Sequence, residues 1–303
     1  MAHPIEIAVI SGQGGSGKTV LTSSLARLIE SKVIAECDVE APNLHLLLNP
    51  VLRTQSPLYS HKMAVIDQDI CDKCGECLSV CRFHAIRQRE EAEGWSYSVV
   101  GPACEGCAAC AHACPQKAIE MKTVMTGSYY ISDSDYGPFV HASLKPGRVN
   151  SGRLVAIVRR EAKKVAAIEN LKCILTDGPP GIGCPAIATV AGISLAVVVT
   201  EPTVGGIHDF RRVLALTRCL GVETAVVMNK YDLNPEVARE TEELVASFDI
   251  PLIGRIPFSP QFNQALCDGT SVLDRPESPL ADEIIGIARR IEELAPGAHT
   301  TKV

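Results

Sequence analysis

The chain of 303 residues is poor in aromatic side chains: Phe, Trp and Tyr together make up 4%, with a single Trp. Its core must therefore be mainly aliphatic, as in a mostly parallel sheet covered by helices on both faces. Long apolar runs are missing too. None approaches the ~20 residues a membrane-spanning helix needs. The first residues, Met1-Ala2-His3-Pro4, lack the charged start and apolar stretch of a secretory leader. A soluble cytoplasmic protein without a membrane partner is expected. Excess positive charge is also absent. The net charge of −6 gives no global basis for binding nucleic acid or an acidic membrane surface. Cysteine, by contrast, is abundant: there are 13, and eight of them fall between Cys71 and Cys114. Clustered cysteines in a chain with no secretory signal point to metal ligation rather than disulfides.

The α/β rhythm begins at once. The apolar run from Ile5 to Ile10 fits a buried strand, a glycine-rich turn covers 11–17, a helix is expected from Lys18 to about Ser31, and Val33–Ala35 fits the next strand. This is the opening of a doubly wound, mostly parallel sheet. The cysteine-rich segment 67–123 breaks the rhythm and carries a tandem repeat, so it reads as an inserted domain between 1–66 and 124–303. Further strands are expected at 172–177, 195–200, 223–229 and 252–256. Helices are expected at 151–168, 206–220, 235–248 and 280–294. Ser128–Ile131 is read as a strand leading into a loop. Outside the repeat, Cys37, Cys173, Cys219 and Cys267 read as buried small apolar residues.

The first turn reads Gly12-Gln13-Gly14-Gly15-Ser16-Gly17-Lys18-Thr19, which fits G-x-x-x-x-G-K-[ST]. Glycines let backbone N–H groups turn inward around phosphate oxygens. The helix behind them directs its positive end at the same anion. Lys18 is placed for the β- and γ-phosphates and the Thr19 hydroxyl for Mg²⁺.

The loop resembles the deviant Walker A motif of the MinD/ParA/Mrp and nitrogenase iron-protein ATPases. Two further segments carry the same resemblance. Glu36-Cys37-Asp38-Val39-Glu40-Ala41-Pro42-Asn43 is similar to switch I, and Asp177-Gly178-Pro179-Pro180-Gly181 to the Walker B and switch II run. The resemblance implies MgATP as ligand. It implies that Asp38 orients the attacking water and joins Thr19 and Asp177 in the Mg²⁺ shell, and that Asn229 contacts the adenine. Val20 and Pro257 complete the nucleotide-binding set on the same ground. The catalytic set is then Lys18, Asp38 and Asp177. The family's early signature lysine, which reaches across a dimer, is replaced by Gln13, which brings hydrogen bonds without charge. Slow turnover without a partner follows. The resemblance implies a nucleotide-sandwich homodimer; a monomer, or a heterodimer with a related chain that keeps the lysine, stays open. A second reading of the base site stays open: Asn229-Lys230-Tyr231-Asp232 fits the N-K-x-D pattern of guanine readers, although Pro180 departs from D-x-x-G.

The cysteine repeat is Cys71-x2-Cys74-x2-Cys77-x3-Cys81 followed by Cys104-x2-Cys107-x2-Cys110-x3-Cys114-Pro115. Its spacing is similar to that of bacterial two-cluster ferredoxins. That resemblance implies an α+β module holding two [4Fe–4S] clusters with crossed ligation. Cys71, Cys74, Cys77 and Cys114 would hold one cluster, and Cys104, Cys107, Cys110 and Cys81 the other. Two four-thiolate zinc sites are the alternative. Cys184 follows the switch II run, where the nitrogenase iron protein has a cluster ligand. A second cysteine is missing near 140–155, where Asn150 and Ser151 stand, so Cys184 is at most an extra metal site. Three functions follow: an ATP-gated electron donor to a partner metalloprotein, an ATPase that assembles or inserts a cluster in a client, or a MinD/ParA-like positioning ATPase with a redox-sensing insert.

Overall fold

A computed structural model describes residues 3–91, 94–145, 151–274, 279–296 and 298–300. The chain divides into two compact units. One is Met1–Ser56 with Tyr129–Ser143 and Ser151–Val303; the other is Pro57–Ser128 with Leu144–Asn150. The chain opens with β1 (Ile5–Ser11), α1 (Lys18–Leu28), β2 (Lys32–Glu36), α2 (His45–Leu48) and β3 (Val51–Ile66). Next come α3 (Glu76–Val80), β4 (Ile86–Glu91), β5 (Gly94–Val99), α4 (Ala109–Ala113), β6 (Ile119–Ser134) and β7 (Gly137–Leu144). Then follow α5 (Ser151–Ile168), β8 (Cys173–Pro180), α6 (Cys184–Val190), β9 (Leu195–Thr200) and α7 (Val204–Cys219). The series ends with β10 (Glu223–Asn229), α8 (Pro235–Ser247), β11 (Leu252–Ile256), α9 (Pro260–Asp268) and α10 (Pro279–Leu294).

The large sheet runs β11-β10-β9-β1-β8-β2-β7-β6-β3. Every pairing from β11 to β7 is parallel. Alternation along β1 explains the layering. Ile7 and Val9 point into one core with Leu21 and Leu25 of α1 and Ile284 and Ile287 of α10. Ala8 and Ile10 point into the opposite core with Phe210, Val213 and Leu214 of α7. Strands covered on both faces can be apolar at every position, and all six residues of β9, Leu-Ala-Val-Val-Val-Thr, are buried. β1 lies between β9 and β8, so neighbouring crossovers leave in opposite directions at its C-terminal end. That is where open α/β sheets place ligands. The register sets Glu36 of β2 beside Asp177 of β8 at the same end.

The other unit contains the antiparallel pair β4 and β5. Its small core joins Ala64, Ile86, Tyr97 and Ile119 to Cys77 and Cys110.

Several expectations need correction. Helix α1 ends at Leu28, because Ile29 turns to extended backbone before β2. Ser128–Ile131 is the middle of the sixteen-residue strand β6, which continues through a turn into β7. Cys219 and Cys267 are exposed, the first at the last turn of α7 and the second on α9, whereas Cys37 and Cys173 are buried.

Candidate nucleotide and cluster sites

The phosphate loop is shaped by its glycines. Gly15 and Gly17 have φ of +77° and +90°, backbone that an L side chain rarely adopts. Gly17 also caps α1 directly above the Asn229 amide, which a Cβ there would strike. Gly12 is packed against α7: a Cβ at Gly12 would lie 2.5 Å from Asp209 Cβ. Asp209 is itself paired with His208 and Arg212 on that helix. Gln13 lies beside Gly205 at the start of α7, while Gly14 is exposed.

Lys18 is buried at the start of α1. Desolvation lowers its pKa, and the charges of Asp177 and Asp38 oppose that shift. Thr19 Oγ1 donates to Asp177 Oδ2 at 2.7 Å and Thr22 Oγ1 donates to Asp177 Oδ1 at 3.0 Å. Burial pushes the Asp177 carboxyl up to about 6, against the pull of Thr19, Lys18 and Thr22. Asp38 is also shifted up by burial, and its Oδ1 accepts from Ala41 N at 3.3 Å. Asp38, Pro179, Pro180 and Gly183 border a common cavity, so the segments similar to switch I and switch II face each other. The donors suit a hard cation with a phosphate: two carboxylates, a hydroxyl and a buried ammonium. Ser16 Oγ, 1% exposed, has no hydrogen-bond partner among the described residues, which leaves a donor for a phosphate oxygen.

A second cavity opens beside the loop. Gly15, Gly17, Val20, Asn229, Pro257 and Phe258 help to line it. Asn229 Nδ2 donates to Ser16 O at 2.8 Å, so this residue fixes the loop while bordering the cavity. Sequence reasoning assigned no individual role to Lys230, Glu201 or Glu36. Lys230 donates from Nζ to Gly15 O at 3.2 Å and pairs with Glu201 at 2.5 Å. Glu36 is fully buried, and its Oε1 accepts from Asn43 N at 2.7 Å and Leu44 N at 2.8 Å. The only signal for Glu36 was its place in the switch I segment.

The two cysteine runs share one backbone. Lys73 and Gly106, Gly75 and Ala108, and His84 and Lys117 occupy matching places in the repeat, and all six have positive φ. A short helix follows in each run, α3 and then α4. Beyond it, Ala85 N donates to Cys81 Sγ and Ala118 N to Cys114 Sγ, both at 3.3 Å. Cys81, Cys104, Cys107 and Cys110 line a single cavity with apolar neighbours that include Ala64, Ile86 and Met121. Burial pushes the Cys77 thiol up to about 11, and Cys71, Cys110 and Cys74 nearby add to the rise. Burial also raises Cys110. Such thiols ionise readily only when a metal stabilises the thiolate. Among the described residues, no three His, Cys, Asp or Glu side chains gather closely enough to hold one metal ion. A zinc ion would require thiolates at about 2.3 Å from one point. A cubane is held by thiolates spread around a larger body.

Cys184 is exposed at the start of α6 and sits on the backbone of α5. A Cβ at Gly152 would lie 3.2 Å from Cys184 Cβ. Asn150 lies outside the described residues. No helix among the described residues is long and apolar enough to cross a membrane.

Residues 7–272 match the CobQ/CobB/MinD/ParA nucleotide binding domain family, CbiA. The chain is 34% identical to the uncharacterized protein MJ0578 of Methanocaldococcus jannaschii, over 76% of this chain and 79% of that one. It is 28% identical to the cytosolic Fe-S cluster assembly factor NUBP2 of Bos taurus, over 46% of this chain and 61% of the relative. It is 32% identical to a ferredoxin of Pyrobaculum islandicum, over 23% of this chain and 62% of the relative. Among solved structures, MinD of Pyrococcus horikoshii OT3 complexed with Mg-ADP aligns with a TM-score of 0.57 at 18% identity. That alignment covers 96% of this chain and 97% of that one. The chain therefore belongs to the CobQ/CobB/MinD/ParA nucleotide-binding family and is a P-loop ATPase.

Proposed function

We propose that the chain is a MgATP-dependent iron–sulfur protein that couples its nucleotide state to electron transfer, or to cluster assembly, in a partner metalloprotein. The observation that carries the iron–sulfur half is the cavity lined by Cys81, Cys104, Cys107 and Cys110. A cysteine from the first run lies there with three from the second, as crossed ligation requires. By the repeat, Cys71, Cys74, Cys77 and Cys114 hold the second cluster. The inserted domain, 67–123 by its cysteine repeat, falls within the compact unit Pro57–Ser128 with Leu144–Asn150. Bound clusters would supply one-electron redox chemistry; the chain contributes ionised thiolates, backbone N–H groups aimed at sulfur, and an apolar wall.

On the nucleotide side, Lys18, Ser16 and the loop from Gly12 to Val20 bind phosphates. Thr19, Asp38 and Asp177 hold Mg²⁺, and Asp38 also orients the attacking water. Asn229 and Pro257 border the base. Loss of the γ-phosphate releases the two facing switch segments, which is how nucleotide state reaches a partner. Gln13 lacks the charge that would speed a dimeric partner's hydrolysis, so turnover in a cytoplasmic homodimer or heterodimer is slow until a client binds. The similarity to a ferredoxin supports electron delivery, and the similarity to NUBP2 supports cluster assembly.

The test is an anaerobic capture of host metalloproteins on the tagged chain, with and without a non-hydrolysable ATP analogue. The captured client is then assayed for reduction by the dithionite-reduced chain and for net iron transfer to its apo form. ATP-dependent reduction or iron transfer is expected. Nucleotide-independent behaviour in both assays would remove the coupling.

A further inference from the structure

The segment Asn229-Lys230-Tyr231-Asp232 matches the pattern of a guanine reader, yet the side chains of Asn229, Lys230 and Asp232 are engaged elsewhere. A guanine reader must aim its aspartate carboxylate at the ring N–H and amino group of the base. Here Asp232 Oδ1 accepts the backbone N–H of Phe258 at 2.6 Å. Asp232 is not among the residues that line the base-side cavity, whereas Phe258 and Pro257 are. Asn229 and Lys230 meanwhile donate to the carbonyls of Ser16 and Gly15.

The loop after β11 needs such a hold. Pro257 has no N–H to donate, so the first donor beyond the strand is that of Phe258. On the strand side, Tyr231 N donates to Ile256 O at 3.2 Å. Pro257 is thereby pinned from both sides by the residues that follow β10. Phe258 remains 47% exposed at the cavity rim, and Phe262 borders the same space. These rings offer apolar surface to a purine, without a buried carboxylate to select guanine.

We propose that Asp232 is a positioning residue for the base-binding loop: its carboxylate holds the Phe258 N–H, so Pro257 and Phe258 are preset against an adenine nucleotide and guanine is not read. The segment as a whole ties the phosphate loop, through Asn229 and Lys230, to the base loop, through Asp232. This deepens the ATP reading and rests on it.

The test measures dissociation constants of ATP, GTP, xanthosine triphosphate and inorganic tripolyphosphate, all with Mg²⁺, for the native chain, Asp232→Ala and Asp232→Asn. Loss of a hydrogen bond to a charged acceptor corresponds to about tenfold weaker ATP binding in Asp232→Ala. Tripolyphosphate, which has no base, should bind all three proteins alike. Asp232→Asn keeps an acceptor oxygen and should restore ATP binding to within about threefold of native. ATP affinity unchanged in Asp232→Ala, equal weakening of tripolyphosphate, or a gain of xanthosine triphosphate binding by Asp232→Asn would each overturn the positioning role. A native preference for GTP over ATP would instead refute the nucleotide assignment beneath it.

Discussion

Replacing Glu36 with Gln should make the protein more stable near neutral pH, and the gain should grow as pH rises to about 8. Glu36 is fully buried at the end of β2 beside Asp177. One carboxyl oxygen accepts two backbone N–H groups, while Oε2 has no hydrogen-bond partner among the described residues. Burial is the largest cause of its raised pKa, and Asp177 and Asp38 add to it. The Leu44 and Asn43 N–H groups pull the other way, leaving a value of about 8 against an ordinary 4.5. The folded protein thus binds this proton more tightly than the unfolded chain does. Its contribution to stability is fully present below the unfolded value and is lost as pH rises through about 8. At about 1.4 kcal/mol per pKa unit, the whole span is worth up to about 5 kcal/mol, and up to about 3 kcal/mol is already lost at pH 7. Gln keeps an acceptor for Asn43 and Leu44 and is neutral at every pH. Urea unfolding followed by far-ultraviolet circular dichroism, between pH 5 and pH 9, should give curves that nearly coincide at the acid end, diverge up to about pH 8 and then run parallel. A constant difference across that range would refute the assignment of a buried proton to Glu36.

Other expectations can be checked with the same preparation. Gly17→Ala forces an L residue to φ of +90° and drives a Cβ into the Asn229 amide, so it should cost at least about 1–2 kcal/mol in urea unfolding and abolish ATP binding by calorimetry. Lys18→Met should remove measurable ATP hydrolysis while leaving the melting temperature equal or higher, since a desolvated ammonium is replaced by an apolar chain. Cys81→Ser should lose about half of the bound iron, because only the cavity it shares with Cys104, Cys107 and Cys110 is opened. Cys184→Ser should leave the iron content unchanged; a loss would show that Cys184 holds metal.

Much of the parallel sheet was legible because its strands are buried on both faces and announce themselves as uninterrupted apolar runs. Strands β9, β10 and β11 and helix α5 coincide with their expected limits. The strands β3 and β6 were not legible in the same way. Arg53, Gln55, His61 and Lys62 interrupt β3, and its extended form depends on a partner strand remote in the chain. Helix α9 carries too few regularly spaced apolar residues to stand out. At the nucleotide site, glycine spacing marked the loop, but only the register could show that Glu36 meets Asp177. The engagement of Asp232 by Phe258 joins residues from two loops, so the motif alone gave the opposite hint. Cys219 and Cys267 were misread because cysteine is usually buried, a tendency of composition that says nothing about which face of a helix a residue occupies.

The central claim, a P-loop ATPase that also carries two cubane clusters, is tested most directly by metal and sulfide analysis of the anaerobically purified chain. About eight iron and about eight acid-labile sulfide per chain are expected, with a brown colour that bleaches on reduction by dithionite. A colourless chain containing zinc and no sulfide would contradict it.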